Sequence, residues 1–158
     1  MVFSSWFQTP WSIAAICAIL ILTWIGAYTD DKKRIIPNWI PLGIIIAGIF
    51  TNGLTIWNKL LCFAGMTVIL LLLLKLTGAH SGGGDVNLYC SLCFALGFKA
   101  AWCVFAGTYL LMKVHSISYR SSASGARYPV CCYIAPAYSL LLATSIAFFI
   151  LQMGGGIS

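Results

Sequence analysis

"MTVILLLLLKLTGAHSGGGDVNLY", residues 66–89, passes from an uninterrupted apolar run to three glycines, a carboxylate and a second apolar segment. The leucine run suits lipid or a buried helix, and the glycines break it. Across the chain the same alternation recurs. Of 158 residues 61% are hydrophobic and only 8% charged, where a soluble domain carries about 25% charged residues. The mean hydropathy is +0.96. Apolar stretches long enough to cross about 30 Å of hydrocarbon leave room for about six helices. The expected fold is all-α, a polytopic membrane bundle, with residues 1–158 forming one integral-membrane domain.

The expected spans run over 10–28, from Pro37 to Phe50, 58–77, 86–98 (short and partly recessed), 100–114 and 131–152. Pro37 suits the first turn of a helix, where its missing N–H costs little. Thr51-Asn52-Gly53 reads as a turn, 78–84 as a flexible connection, and the serine-rich 116–129 as an exposed loop. The first span has no basic residue before it and no small-residue cleavage site after it, so it reads as a helix rather than a signal peptide.

The formal charge of +6 does not point to nucleic acid, because the basic residues are scattered between spans. They fit a topology signal instead. With the N-terminus outside, Lys32, Lys33, Arg34, Lys75, Lys113, Arg120 and Arg127 fall on the cytoplasmic side, and Lys59 and Lys99 opposite. Trp6, Trp11, Trp39, Trp57 and Trp102 lie near span ends and suit interfacial belts. Cys90-x-x-Cys93 has the spacing of a zinc or redox half-site. No second pair or suitably placed histidine completes it, so no metal is expected. His80 and His115 read as ordinary interfacial histidines.

The chain has three acidic residues, Asp30, Asp31 and Asp85. A carboxylate at a bilayer's centre costs roughly 2.5–3.5 kcal/mol. Asp30 ends the first span and Asp85 opens the fourth, so both face one side of the membrane. These acids could be plain helix-end residues. They could also form a pair. Two close carboxylates share a proton, so one acts as base and the other as acid. Such a pair can activate water for amide hydrolysis or carry protons in a transporter. Gly82, Gly83 and Gly84 permit positive φ and close backbone approach, which an extended peptide substrate needs.

With these motifs in place, the chain resembles the type IV prepilin peptidases, membrane aspartic peptidases of the Gly-x-Gly-Asp type, and among them the short TadV/CpaA-like forms. Asp30 followed by "DKKRIIPN" is similar to the family's first motif, "GGGDVNL" to its second, and "RYPVCCYIAPAYSLL" to its proline-containing approach to the last helix. The resemblance implies catalysis by Asp30 and Asp85, with Asp31 secondary, and substrate contact by Gly82, Gly83, Gly84, Pro37 and Asn38. Asn87 stands where the family has Lys. The implied partners are a prepilin or pseudopilin substrate and the lipid bilayer, with no cofactor. The implied place is a bacterial inner membrane, with the site facing the cytoplasm. Longer members carry an N-terminal zinc domain linked to methylation of the product. That motif pair has no counterpart here, so methyltransferase activity is not expected. A proton-coupled transporter and a non-catalytic assembly protein are the rival readings.

Overall fold

A computed structural model describes residues 9–33, 35–51, 54–77, 83–118 and 131–154. They form six helices: α1 (Pro10–Lys33), α2 (Trp39–Ile49), α3 (Ile56–Thr77), α4 (Gly83–Leu96), α5 (Phe98–Ser118) and α6 (Cys131–Gly154). There is no strand among the described residues, so the all-α expectation holds. The main packing runs α1–α2–α4–α5–α6 and back to α1, a closed ring of five helices, with α3 laid on α4.

Helix boundaries follow local chemistry. Pro10 opens α1, with Thr9 before it; the Ser12 N–H reaches the Thr9 carbonyl at 3.1 Å and its Oγ1 at 3.4 Å. This is the N-cap use of threonine, with proline in the first turn. Pro37, expected inside the first turn of the second span, lies just before α2. Its carbonyl accepts the Ile40 N–H at 3.1 Å, and the helix starts at Trp39. α4 ends at Gly97, whose φ of +86° is the left-handed conformation that glycine adopts without a Cβ penalty. α5 follows at the next residue. The expected 78–84 connection is shorter than anticipated, because Gly83 and Gly84 belong to the first turn of α4. Residues 116–118 likewise belong to α5. The expected turn residues Asn52 and Gly53, and the loop from 119 to 130, lie outside the described residues, as do Trp6, Arg34, His80, Gly82, Arg120 and Arg127.

The helices are not equivalent. α1 and α3 are long and apolar enough to cross a bilayer, and the α3 window is only 17% buried. α2 has 11 residues and α4 has 14. At 1.5 Å per residue they measure about 16 and 21 Å, short of the roughly 30 Å of a hydrocarbon core. The shortness expected of the fourth span thus extends to the second. α4 is the core of the bundle: every residue from Leu88 to Leu96 is buried. A helix apolar on all faces needs neighbours on all faces, and α2, α3 and α5 supply them. Cys90 and Cys93 sit in this wall as free, buried thiols. Cys93 Sγ lies 3.3 Å from the carbonyl oxygen of Cys62 on α3, and Thr67 Oγ1 3.1 Å from Cys90 Sγ. The thiols thus pack as small helix-interface residues.

Candidate active site

α2 and α4 lie side by side and set the geometry of the site. At one end Gly84 faces Ile36: a Cβ on Gly84 would stand 3.0 Å from the Ile36 Cβ. At the other end Gly48 faces Ala95, with a Cβ on Gly48 2.8 Å from the Ala95 Cα. Ile36 and Gly48 are twelve residues apart, and Gly84 and Ala95 eleven. The two helices therefore run parallel and nearly in step. Their N-termini share one end of the bundle, the end at which α1 finishes and residues 35–38 precede α2.

Asp30 is buried one turn before the end of α1, whereas its neighbour Asp31 is exposed. This difference follows from helical spacing. Asp30 continues the inward stripe of Ile16, Ile19, Thr23, Gly26 and Ala27, and Asp31 turns 100° away from it. Asp85 lies in the first turn of α4 and is half-buried. There the helix N-terminus favours a carboxylate. Ile36, buried, belongs to the segment that leaves Asp30, and Gly84 directly precedes Asp85. Their contact brings the Asp30-to-Asn38 stretch against the Gly-Gly-Asp turn.

α6 begins beside the same place. The Cys132 thiol sits 3.4 Å from the Ala27 carbonyl oxygen, one turn below Asp30. Around the site, Pro37 is half-buried and Asn38 exposed. Asn87 is also exposed. Gly83 is exposed, and among the described residues a Cβ there would meet nothing within 4 Å. Among the described residues, nothing covers this flank of the turn. Lys32 folds back over the Tyr28 ring, 4.5 Å from its centroid, so it is held on α1 as a cation–π pair.

Two details differ from the expectation. Gly83 and Gly84 are helical; the positive φ among the described glycines is at Gly97. What Gly84 supplies is room for Ile36. Ile36 itself is legible in the sequence only as a motif member. Its signal is a β-branched apolar residue kept inside a basic, polar stretch, which a solvated loop does not require.

The family model for the type IV leader peptidases matches residues 14–117, about two thirds of the chain, from within α1 to the last turn of α5 and including both aspartate segments. The chain belongs to the type IV leader peptidase family. It is therefore a leader-peptidase-like protease, and its two bilayer-length helices agree with a membrane protein. No curated protein and no solved structure gives a match.

Proposed function

We propose that this leader peptidase is a membrane aspartic endopeptidase that removes the leader of type IV prepilin or pseudopilin precursors at the cytoplasmic face of a bacterial inner membrane. The observation that carries the reading is the Gly84–Ile36 contact, which packs the Gly-Gly-Asp turn of α4 onto the segment leaving Asp30. The substrate's apolar helix lies beside the bundle. Its extended cleavage segment enters by the flank at Gly83, between Gly83-Gly84 and Pro37-Asn38.

Asp30 and Asp85 form the reacting pair and share one proton between them. The ionised carboxylate takes a proton from water as the oxygen attacks the scissile carbonyl carbon. The C=O bond opens to a tetrahedral carbon. The protonated carboxyl then gives its proton to the amide nitrogen as the C–N bond breaks. Carboxylic acid and amine leave, and the pair returns to its starting charge. Asp31, turned outward and exposed, takes no part. Basic residues on the site end (Lys32, Lys33, Lys75 and Lys113, all exposed) match the positive-inside pattern and support a cytoplasmic site.

The test is cleavage of a co-expressed prepilin by wild type, Asp30→Asn, Asp31→Asn and Asp85→Asn at matched membrane levels. Loss in Asp30→Asn and Asp85→Asn with retention in Asp31→Asn is expected. Cleavage at wild-type rate by all three variants overturns the assignment.

A further inference from the structure

By sequence Lys59 reads as a topology charge facing the side opposite the aspartates. It is instead buried, with 3% of its surface exposed, at the first turn of α3. Its Nζ donates to the carbonyl oxygens of Gly48 and Thr51, both at 2.6 Å, and to Thr51 Oγ1 at 3.1 Å. All three ammonium protons thus have acceptors. Thr51 Oγ1 in turn lies 2.8 Å from the Gly48 carbonyl oxygen and 2.7 Å from that of Ala95. A buried ammonium is costly unless paired. The acids of this chain sit at the other end of the bundle. What faces the ammonium here is the C-terminal end of α2, and through Thr51 that of α4. Two parallel helices direct the negative ends of their dipoles to one spot, and Lys59 occupies it.

We infer that Lys59 and Thr51 form a clasp that fixes the register of α2 against α4, and thereby act as positioning residues for the aspartate pair. The inference rests on the proposed peptidase reading for its consequence, not for its geometry. The clasp ties Gly48, Thr51 and Ala95 at one end of a two-helix unit. Ile36 and Gly84 meet at the other end, eleven to twelve residues along. Helices are stiff over that length. A slip of one residue moves one helix about 1.5 Å along the other. That displacement would carry Asp85 past Ile36 and off the segment that leaves Asp30. Misplacements of this size cost up to about a hundredfold in rate when groups must be aligned. The Gly48–Ala95 contact supplies close approach but no direction. The Thr51 hydroxyl, donating to the Ala95 carbonyl across to α4, supplies the direction, and the three hydrogen bonds of the ammonium hold Thr51 and Gly48 in place.

Two readouts test this together. The first is kinetic, on a prepilin peptide with the purified protein in detergent. Lys59→Met and Thr51→Val are each expected to lower kcat about tenfold or more while KM stays within about twofold, because alignment rather than binding is lost. Thr51→Ser, which keeps the hydroxyl, restores the wild-type rate. The second needs no activity. In an Ile36→Cys/Gly84→Cys protein, diamide oxidation should link 36 to 84 rapidly, since the two Cβ positions, 3.0 Å apart, need only part slightly to reach disulfide geometry. The linked peptide is identified by mass spectrometry, which separates it from any product of the native cysteines. Adding Lys59→Met should slow that link about tenfold.

If Lys59→Met and Thr51→Val cut and cross-link like their parents, the clasp is not a positioning device. Nor is it one if kcat falls and the 36–84 link forms as before. If no form of the protein cuts but Lys59→Met slows the link, the peptidase reading fails and the clasp stands. Should Lys59→Met not accumulate in the membrane, the Thr51→Val and Thr51→Ser pair decides by the same two readouts.

Discussion

At one end of the α2–α4 pair Gly84 meets the side chain of Ile36; at the other, Gly48 meets the backbone of Ala95. The first contact is the looser one, a single Cβ at 3.0 Å on the segment that precedes α2 rather than a helix backbone at 2.8 Å. It borders exposed residues, and among the described residues nothing covers its flank at Gly83. The second is the tighter, because a main chain stands in the way, and it is tied by Lys59 and Thr51. The difference teaches how a small bundle divides its labour. The far end is closed and satisfied by hydrogen bonds. The site end keeps polar groups near the surface, where a second chain can reach them.

The largest expected effect breaks the site end chemically and leaves the far end alone. Asp85→Asn and Asp30→Asn should lower leader cleavage by about 10²–10⁴-fold, the usual worth of a positioned acid or base. Their thermal unfolding in detergent should show folded protein. Next is Gly48→Ala, which breaks the far end mechanically. Its methyl meets the Ala95 backbone at 2.8 Å, and overpacking of this kind costs about 1–3 kcal/mol. A clear drop in melting temperature is expected; an unchanged melt would show that α2 and α4 can part there freely.

Gly84→Ala sharpens the contrast. Its methyl meets the Ile36 Cβ at 3.0 Å, on a segment outside the helices, rather than a helix backbone at 2.8 Å, so the melt should move less than for Gly48→Ala. Cleavage should nevertheless fall, because Ile36 must shift beside the site. Equal melting losses for the two alanines would erase the distinction between the ends. The smallest effect is Gly83→Ala, where none of the described residues stands within 4 Å. Stability should hold or rise by up to about 1 kcal/mol, since alanine restricts the unfolded chain. A rise in KM at unchanged melting temperature would mark this flank as the path of the substrate.

Much of this is legible in the sequence. Six helices follow from apolar runs and their punctuation, and the two aspartate segments from their placement at span ends. What the sequence hides is which apolar surfaces face protein. The run Leu88–Leu96 reads the same whether lipid or helices surround it, and only the packing of α2, α3 and α5 decides. Lys59 reads as a loop-side charge because its acceptors, the carbonyls of Gly48 and Thr51, carry no side-chain signature. Asp30 and Asp31 are equal in composition; their separation into buried and exposed follows from 100° of helix rotation. The meeting of Ile36 with Gly84 needs two helices brought into parallel register across some fifty intervening residues, which no local pattern encodes.

The enclosure of α4 also governs how this chain can vary. α3 buries Met66 and Leu70 at a spacing of four and exposes Leu61, Val68, Leu72 and Leu76. In a saturation library its tolerant positions should therefore recur with the turn of the helix. From Leu88 to Leu96 no residue faces outward, so intolerance should form an unbroken block that ends at Gly97. A lineage can drift on three sides of α3, but on α4 it can change a side chain only together with the neighbour that touches it.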